Sequence, residues 1–476
     1  MRSLLTILAV LLVGIGLFLA LRSTGPVFYL GGIQVNEPDH DAWVSSLAES
    51  GMNTVAVTVY AKQGDWDSTN LWWEEEEPWV IAEARAARRR GLDVALVLRV
   101  ALDHAFERNK FFWHGMIMPD SDEALNDWFD RYSEYVLKWA RIAEEEKIDI
   151  LAIGSELNSL TNTVHVDELP ALEEYWSNEE KVEKENAKIL EHRESIEGKE
   201  IWVRGNEGYA GLEPYLADRA TAHALWAEKV SFLDTADPVA RVNARRRLLA
   251  DRWSELIDRV RQVFTGPLTY AANFDQFESV SFWSELDLIS INAYFPLRKR
   301  DLPESTGGSR TALFATRWTT ILQNVDALRD RQGVPDHRVL FTELGYTRRA
   351  NATIEPWAAH GFSVLPSPSG TRLMIWEEQP DDPVERAEAV RGLYEANLAL
   401  GGDFLAGILY WKLSTEPAHS EVEPFVLIIG DRADEDPLLA ELQRFTAELP
   451  VDRRRARLIS RWQGFVRYIL PQRISN

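Results

Sequence analysis

Cysteine is absent from all 476 residues, so the chain can form no disulfide, build no Cys-ligated zinc site and present no thiol nucleophile. Histidine is scarce: nine residues, placed singly, with no H-x-H or H-E-x-x-H spacing, give a metal site no support. No G-x-G-x-x-G or P-loop follows an early apolar run, which removes the usual dinucleotide and phosphate-binding signatures. "PSPSGTR" and "GGSRT" lack the G-x-S-x-G elbow of serine hydrolases. Positive charge is also short, with 52 Lys and Arg against 75 Asp and Glu and a net charge of -23. Such a field repels nucleic acid and other polyanions, so a nucleic-acid partner and a phosphate-rich or uronate-rich ligand are disfavoured, and a neutral ligand fits. Nothing in the sequence requires a cofactor.

What is present describes a folded globular body, with hydrophobic residues at 45% and charged residues at 27%. Aromatics stand out: 18 Trp beside 13 Tyr and 19 Phe. Most of them belong in a core. Their total also suits a sugar-binding cleft, where the C–H face of a pyranose stacks on a ring whose edge carries a polar group.

The two ends differ from the body. From Leu4 to Leu21 there is no charge, with Arg2 before and Arg22 after, long enough for the lower limit of a bilayer span. Phe18-Leu19-Ala20 is a poor match to an A-x-A cleavage site, so residues 1–24 read as an uncleaved membrane anchor more readily than as a cleaved signal or a buried helix. Either of the first two readings delivers the globular part outside the cytoplasm, tethered to the cytoplasmic membrane or secreted. Residues 451–476 carry seven arginines and one aspartate, and Leu458, Trp462, Phe465, Val466 and Ile469 fall on one helical stripe. A basic amphipathic helix of this kind can lie in a membrane interface, or dock on the acidic body.

Between the ends, eight nearly continuous apolar runs alternate with longer helical patterns: residues 27–35, 53–60, 93–100, 148–154, 266–273, 286–294, 338–343 and 404–411. Runs of this kind suit parallel strands covered on both faces. Repeated strand–helix alternation predicts an α/β fold, a (β/α)8 TIM barrel over residues 25–450, in preference to a doubly wound open sheet. A charged stretch from about residue 161 to 237, including "SNEEKVEKENAKILEHRESIEGKE", breaks the rhythm and is expected to be a mostly helical insertion after strand four.

Catalytic groups of a TIM barrel sit at the C-terminal ends of its strands. Strand four closes on Glu156, strand seven on Glu343, and strand six runs out to Tyr294. Period-2 alternation places Ser290, Asn292 and Tyr294 on one face of strand six and Ile289 and Ile291 on the other, which points the polar face at the axis near Glu343. One such Glu would suit a helix cap or a surface ion pair as well. Two of them across one mouth, with a Tyr beside one, fit the carboxylate pair of glycoside hydrolysis.

"IGSEL" and "LFTELGY" resemble the acid/base and nucleophile motifs of glycoside hydrolase clan A. "NTVAVTVYAKQ", "FFWHGMIMP", "GPLTYAANFD", "VSFWSELDLISINAYFP" and "ILYWKLS" look in particular like family 113, the β-mannanase family of that clan. The resemblance implies a retaining hydrolase of β-linked mannan or manno-oligosaccharides, with Glu156 as acid/base and Glu343 as nucleophile; a membrane-tethered hydrolase of another β-glycan (glucan or galactan), or a barrel that binds carbohydrate without cleaving it, is the alternative. It further implies that Tyr294 bonds the nucleophile, that Trp411 floors the subsite of the attacked sugar, and that Asn273, Trp113, Tyr60 and Gln63 form walls. Most of the clan has Asn before the acid/base, where it binds the sugar 2-hydroxyl. Here that position is Ser155.

The two membrane-like ends make a prediction. If the tail binds an interface, a chain ending near Pro450 releases from vesicles more readily than one lacking only the first 24 residues; equal release would refute tail binding.

Overall fold

The computed structural model describes residues 28–447 except 110–112, 120, 162–199 (of which 187, 190 and 193 are described), 203–207, 210, 231–236, 299–308, 358–361, 367–371, 377–378 and 431–435. The anchor expected at 1–24, the tail at 451–476 and most of the charged run after residue 161 lie outside the described residues. Among the described residues no helix is long and apolar enough to cross a membrane.

All eight apolar runs form strands: β1 (Tyr29–Gln34), β2 (Thr54–Gln63), β3 (Asp93–Leu102), β4 (Ile150–Ser155), β5 (Leu268–Asn273), β6 (Ile289–Asn292), β7 (Val339–Leu344) and β8 (Leu405–Ser414). Each pairs in parallel with the next, and β8 returns to β1 with Tyr29 opposite Gly407 and Ile33 opposite Trp411. The sheet therefore closes, leaving the eight strands of the (β/α)8 barrel no open edge. Close approach shapes β1, where a methyl on Gly31 would lie 1.6 Å from the Thr54 carbonyl oxygen.

Aliphatic side chains fill the barrel axis. Ile33, Ala56, Ala95, Ile150, Leu340, Ala406 and Leu409 form one packed group, with Val97, Ala152 and Ala271 in another. The opposite faces of the strands pack on the helices α1 (His40–Glu49), α2 (Glu77–Arg89), α3 (Asp122–Glu145), α4 (Pro238–Arg261), α5 (Arg310–Arg331), α6 (Pro383–Ala399) and α7 (Pro437–Ala447). Asp39, Ser121, Asp237 and Asp382 cap four of these helices by accepting a first-turn N–H, which marks where each loop ends.

One expectation needs correction. The link from β5 to β6 holds no helix, only the single turns Phe277–Ser279 and Trp283–Glu285. Buried Phe277, Phe282 and Trp283 cover that side of the barrel in a helix's place. The described part of the insertion after β4 is mostly helical, with the helix Leu212–Val230, and it also contributes strands Glu200–Trp202 and Gly208–Tyr209. They complete a four-stranded antiparallel sheet with the hairpin Phe362–Pro366 and Arg372–Trp376, which belongs to the loop after β7. Strands of two or three residues carry no readable period, and their partners lie far along the chain.

An aromatic cluster supports the end of β4. Trp253 stacks on Phe282 with ring centres 4.9 Å apart and meets Phe129, Tyr132 and Tyr270 edge-on. Its Nε1 donates to the Leu160 carbonyl at 2.7 Å, Tyr132 OH donates to the Ile153 carbonyl at 2.6 Å, and the Leu157 N–H donates to Tyr270 OH at 2.7 Å. These bonds fix the backbone on both sides of Glu156. Replacing a buried ring of this size leaves a cavity, so Trp253→Ala should lower the unfolding free energy by about 3–5 kcal/mol in a urea titration.

Candidate active site

The site is built around a charge in the middle of a barrel. Ala95, Val97 and Arg99 alternate along β3 on the axial face, which carries the Arg99 guanidinium inward. It is buried, and its partners all come from other strands. Nε and Nη2 donate to Ser155 Oγ at 3.3 and 3.0 Å, and Nη2 also pairs with Glu343 Oε1. The same Nη2 lies 3.5 Å from Glu156 Oε2. One nitrogen thus reaches both carboxylates. Its ionised form persists because Glu343 and Glu156 offset the burial that would otherwise strip its proton.

Glu343 projects from β7 and is almost fully buried. Its other oxygen, Oε2, accepts a 2.7 Å hydrogen bond from Tyr294 OH. Burial holds the Tyr294 phenol well above its ordinary value, with the Glu343 charge adding to the effect, so it donates and does not compete as an anion. Glu156 directly follows β4 with φ of 52°, in the left-handed region that non-glycine residues seldom adopt. Its N–H is held by the Ala271 carbonyl at 2.9 Å. His114, from a single turn in the loop after β3, sets Nε2 at 2.8 Å from Glu156 Oε2. Burial lowers the His114 pKa against the pull of Glu156, so the ring is neutral near pH 7.

The two carboxyl groups ionise as a pair. Burial raises both. At Glu156 the His114 hydrogen bond and the Arg99 charge prevail and bring it to about 2. At Glu343 burial and the Glu156 charge prevail over Arg99, pushing it up to about 7. Between these limits the pair holds one proton, and with Arg99 charged the buried cluster is neutral. Among the described residues no group of three or more His, Asp or Glu could hold a metal ion.

Other expected residues are placed as follows. Trp411 on β8 is half-buried at the rim, with the Arg99 guanidinium carbon 5.5 Å from its ring centre. Tyr60 on β2 stands near the same guanidinium, and burial raises its phenol against the pull of Arg99. Asn273 ends β5 beside Asn292, and its buried Oδ1 has no hydrogen-bond partner among the described residues, as a group awaiting a ligand hydroxyl would. Trp113 meets the His114 ring edge-on at 4.9 Å. Gln63 is no wall residue: it is fully buried, donates to the Asp65 and Ser68 carbonyls and accepts from Trp128 Nε1. These bonds, with a fourth to Ser68 Oγ at 3.2 Å, brace the loop after β2 and leave nothing for a ligand.

Arg99 and His114 are the side chains of this cluster that sequence reasoning did not single out, whereas Asn292 stands on the inward face of β6 where alternation put it. Asn292 Nδ2 donates to Ser155 Oγ at 3.2 Å and its Oδ1 accepts from Thr342. Ser155 is therefore spoken for by Arg99 and Asn292 and holds the network together. A lone Arg in the apolar run "DVALVLRV" was the available signal.

The sequence model of Glycoside Hydrolase Family 113 matches residues 34–166 and 239–364. A search of curated protein sequences gave no match. Among solved structures, a β-1,4-mannanase of that family aligns with a TM-score of 0.55 at 14% identity, covering 89% of this chain and 99% of that one. The β-mannanase AaManA from Alicyclobacillus acidocaldarius, in complex with ManMIm, aligns with a TM-score of 0.53 at 16% identity, covering 90% and 99%. At such identities the alignments speak for the barrel alone. The family match covers more than half of the chain, in two blocks that part where the insertion after β4 lies, and the chain therefore belongs to Glycoside Hydrolase Family 113: it is a glycoside hydrolase of the mannanase-like kind.

Proposed function

We propose that the chain cleaves β-linked mannan or manno-oligosaccharides with retention of configuration, through a glycosyl ester on Glu343. The observation that carries this reading is the shared Arg99 nitrogen, in ion-pair contact with Glu343 and 3.5 Å from Glu156. Carboxyl groups that straddle a single nitrogen fit the separation of about 5–5.5 Å used by retaining enzymes better than the roughly 6.5–9.5 Å that leaves room for a water in inverting ones. The mannan assignment draws on the family and on the names of its β-mannanases.

In the first step an oxygen of ionised Glu343 attacks the anomeric carbon while Glu156 gives its proton to the departing glycosidic oxygen. Glu343 suits the nucleophile because Arg99 and Tyr294 both donate to it, favouring and orienting the carboxylate. In the resting pair the shared proton sits on Glu343, so in this reading it passes to Glu156 in the substrate complex. Esterification removes the charge of Glu343, so Glu156, now ionised, takes a proton from water as that water attacks the anomeric carbon and frees Glu343. Trp411 provides the flat face for the attacked sugar and Asn273 Oδ1 an acceptor for one of its hydroxyls. Tethering by residues 1–24, with the body outside the cytoplasm, belongs to the same reading and rests on the uncharged run from Leu4 to Leu21.

A 2-deoxy-2-fluoro mannoside with a good leaving group should trap the ester, and peptide mass spectrometry should find it on Glu343. An adduct on Glu156 would reverse the two roles. Glu343→Gln should lower kcat on mannan oligosaccharides by orders of magnitude with the fold intact by circular dichroism; undiminished turnover would sink the assignment. The working form is the singly protonated pair, so kcat/KM should be bell-shaped in pH. Activity is lost above about 7, where the last proton leaves the pair, and on the acid side as pH approaches about 2, where no carboxylate remains to attack.

A further inference from the structure

The two ends of the described body meet on one side of the barrel. Phe28, the residue before β1, is buried and stacks on buried Phe445 of α7, with ring centres 5.2 Å apart and planes 21° from parallel. Tyr394 of α6 meets the Phe445 ring edge-on at 5.3 Å. Asn53, just before β2, fixes the incoming chain by donating to the Phe28 carbonyl at 2.8 Å and accepting from the Leu30 N–H at 2.9 Å. Gln443 Nε2 ties α7 to the end of α1 by donating to the Ser50 carbonyl at 2.8 Å. Residues 1–27 and 448–476 therefore set out from the same packed pair of rings.

That pair lies at the N-terminal ends of the strands. Tyr29 opens β1 and Ile33 faces Trp411 at the rim, so at roughly 3.3 Å per residue about 13 Å of strand separates this end from the mouth. α7 runs the other way. Pro437 at its start shares a cavity with Thr415 and Pro417, which follow β8, and Phe445 near its end reaches Phe28. Both exits thus stand on the face opposite Glu156 and Glu343.

The segments that leave by these exits have membrane chemistry. Six residues, Arg22 to Val27, separate the uncharged run from Phe28. Fully extended they span about 21 Å, so an anchor at Leu4–Leu21 draws this face toward the bilayer. Residues 451–476 bring seven arginines to a chain whose net charge is -23. Such a tail suits anionic lipid and the acidic body alike, and its apolar stripe decides between them. The exposed large apolar side chains among the described residues are Leu190, Leu313, Val384, Leu398 and Val422. Of these, Leu398 lies one helical turn after Tyr394, beside the exits. One leucine does not seat the five residues Leu458, Trp462, Phe465, Val466 and Ile469, whereas a bilayer interface does.

We propose that the barrel face opposite the mouth is a membrane-contact surface, held to an anionic bilayer by residues 1–24 and the basic tail together, with the catalytic mouth turned toward the water. The proposal rests on the tethering reading above. The first attachment raises the local concentration of the second at the same bilayer, so the tail needs little affinity of its own. Glycans arriving from the aqueous side meet the mouth directly.

The absence of cysteine allows a single label to be placed at a chosen site. The full chain, carrying Ala399→Cys at the end of α6 or Ala418→Cys in the loop after β8, both at exposed positions, is labelled with a donor dye. It is reconstituted in vesicles of phosphatidylcholine mixed with phosphatidylglycerol, with an acceptor dye on the headgroups. Energy transfer should be several-fold stronger from the α6 label than from the β8 label, with thermal melting confirming that each variant is folded. Replacing Arg453, Arg454, Arg455 and Arg457 with Gln, or omitting phosphatidylglycerol, should bring the two signals closer together. Equal transfer from both labels, or stronger transfer from the β8 label, overturns the contact surface. A ratio indifferent to the arginines and to phosphatidylglycerol places the tail on the body and overturns the two-point attachment. Release of the unsubstituted chain from the vesicles by alkaline carbonate overturns the tethering reading instead.

Discussion

Arg99 carries a full positive charge into the interior of a closed barrel, where an uncompensated ion costs several kcal/mol even after relaxation. Its neighbours answer that requirement. Ser155 and Glu343 bond it directly, Glu156 stands just beyond, and Trp411 lies within cation–π range. Two carboxylates around one guanidinium would leave a net negative charge in a dry place, and retaining one proton removes it. Burial thus favours the number of protons that glycoside hydrolysis needs, one on the pair, while the resting cluster keeps that proton on Glu343. Catalytic readiness and electrostatic balance follow from the same cluster.

The barrel was legible because its signal is repeated. Eight apolar runs at strand length, separated by helical periodicity, admit few other architectures, and each became a strand in the expected order. The carboxylates were legible for a related reason: a charge that ends a buried run has few places to go except the mouth. Alternation along β6 correctly directed Ser290, Asn292 and Tyr294 to one face, where Ser290 bonds Thr269, Asn292 bonds Ser155 and Tyr294 bonds Glu343.

Other features depended on contacts that local pattern does not encode. Gln63 sits beside the mouth in sequence terms, yet its amide is consumed by the turn that follows β2 and by Trp128. His114 lies in a loop whose conformation no periodicity describes, and its role depends on where β4 ends. The link after β5 dispensed with a helix because three aromatic side chains cover the barrel without one. The small second sheet is made of pieces too short to announce themselves.

That second sheet joins two loops that leave the barrel on opposite sides of the mouth, one following the strand of Glu156 and the other following the strand of Glu343, by pairing Ile201 with Ile375 and Glu200 with Trp376. The loops are therefore structurally coupled. Shortening or transplanting one of them strands the backbone donors and acceptors of the other, so an engineer who wants to reshape this rim must exchange both together.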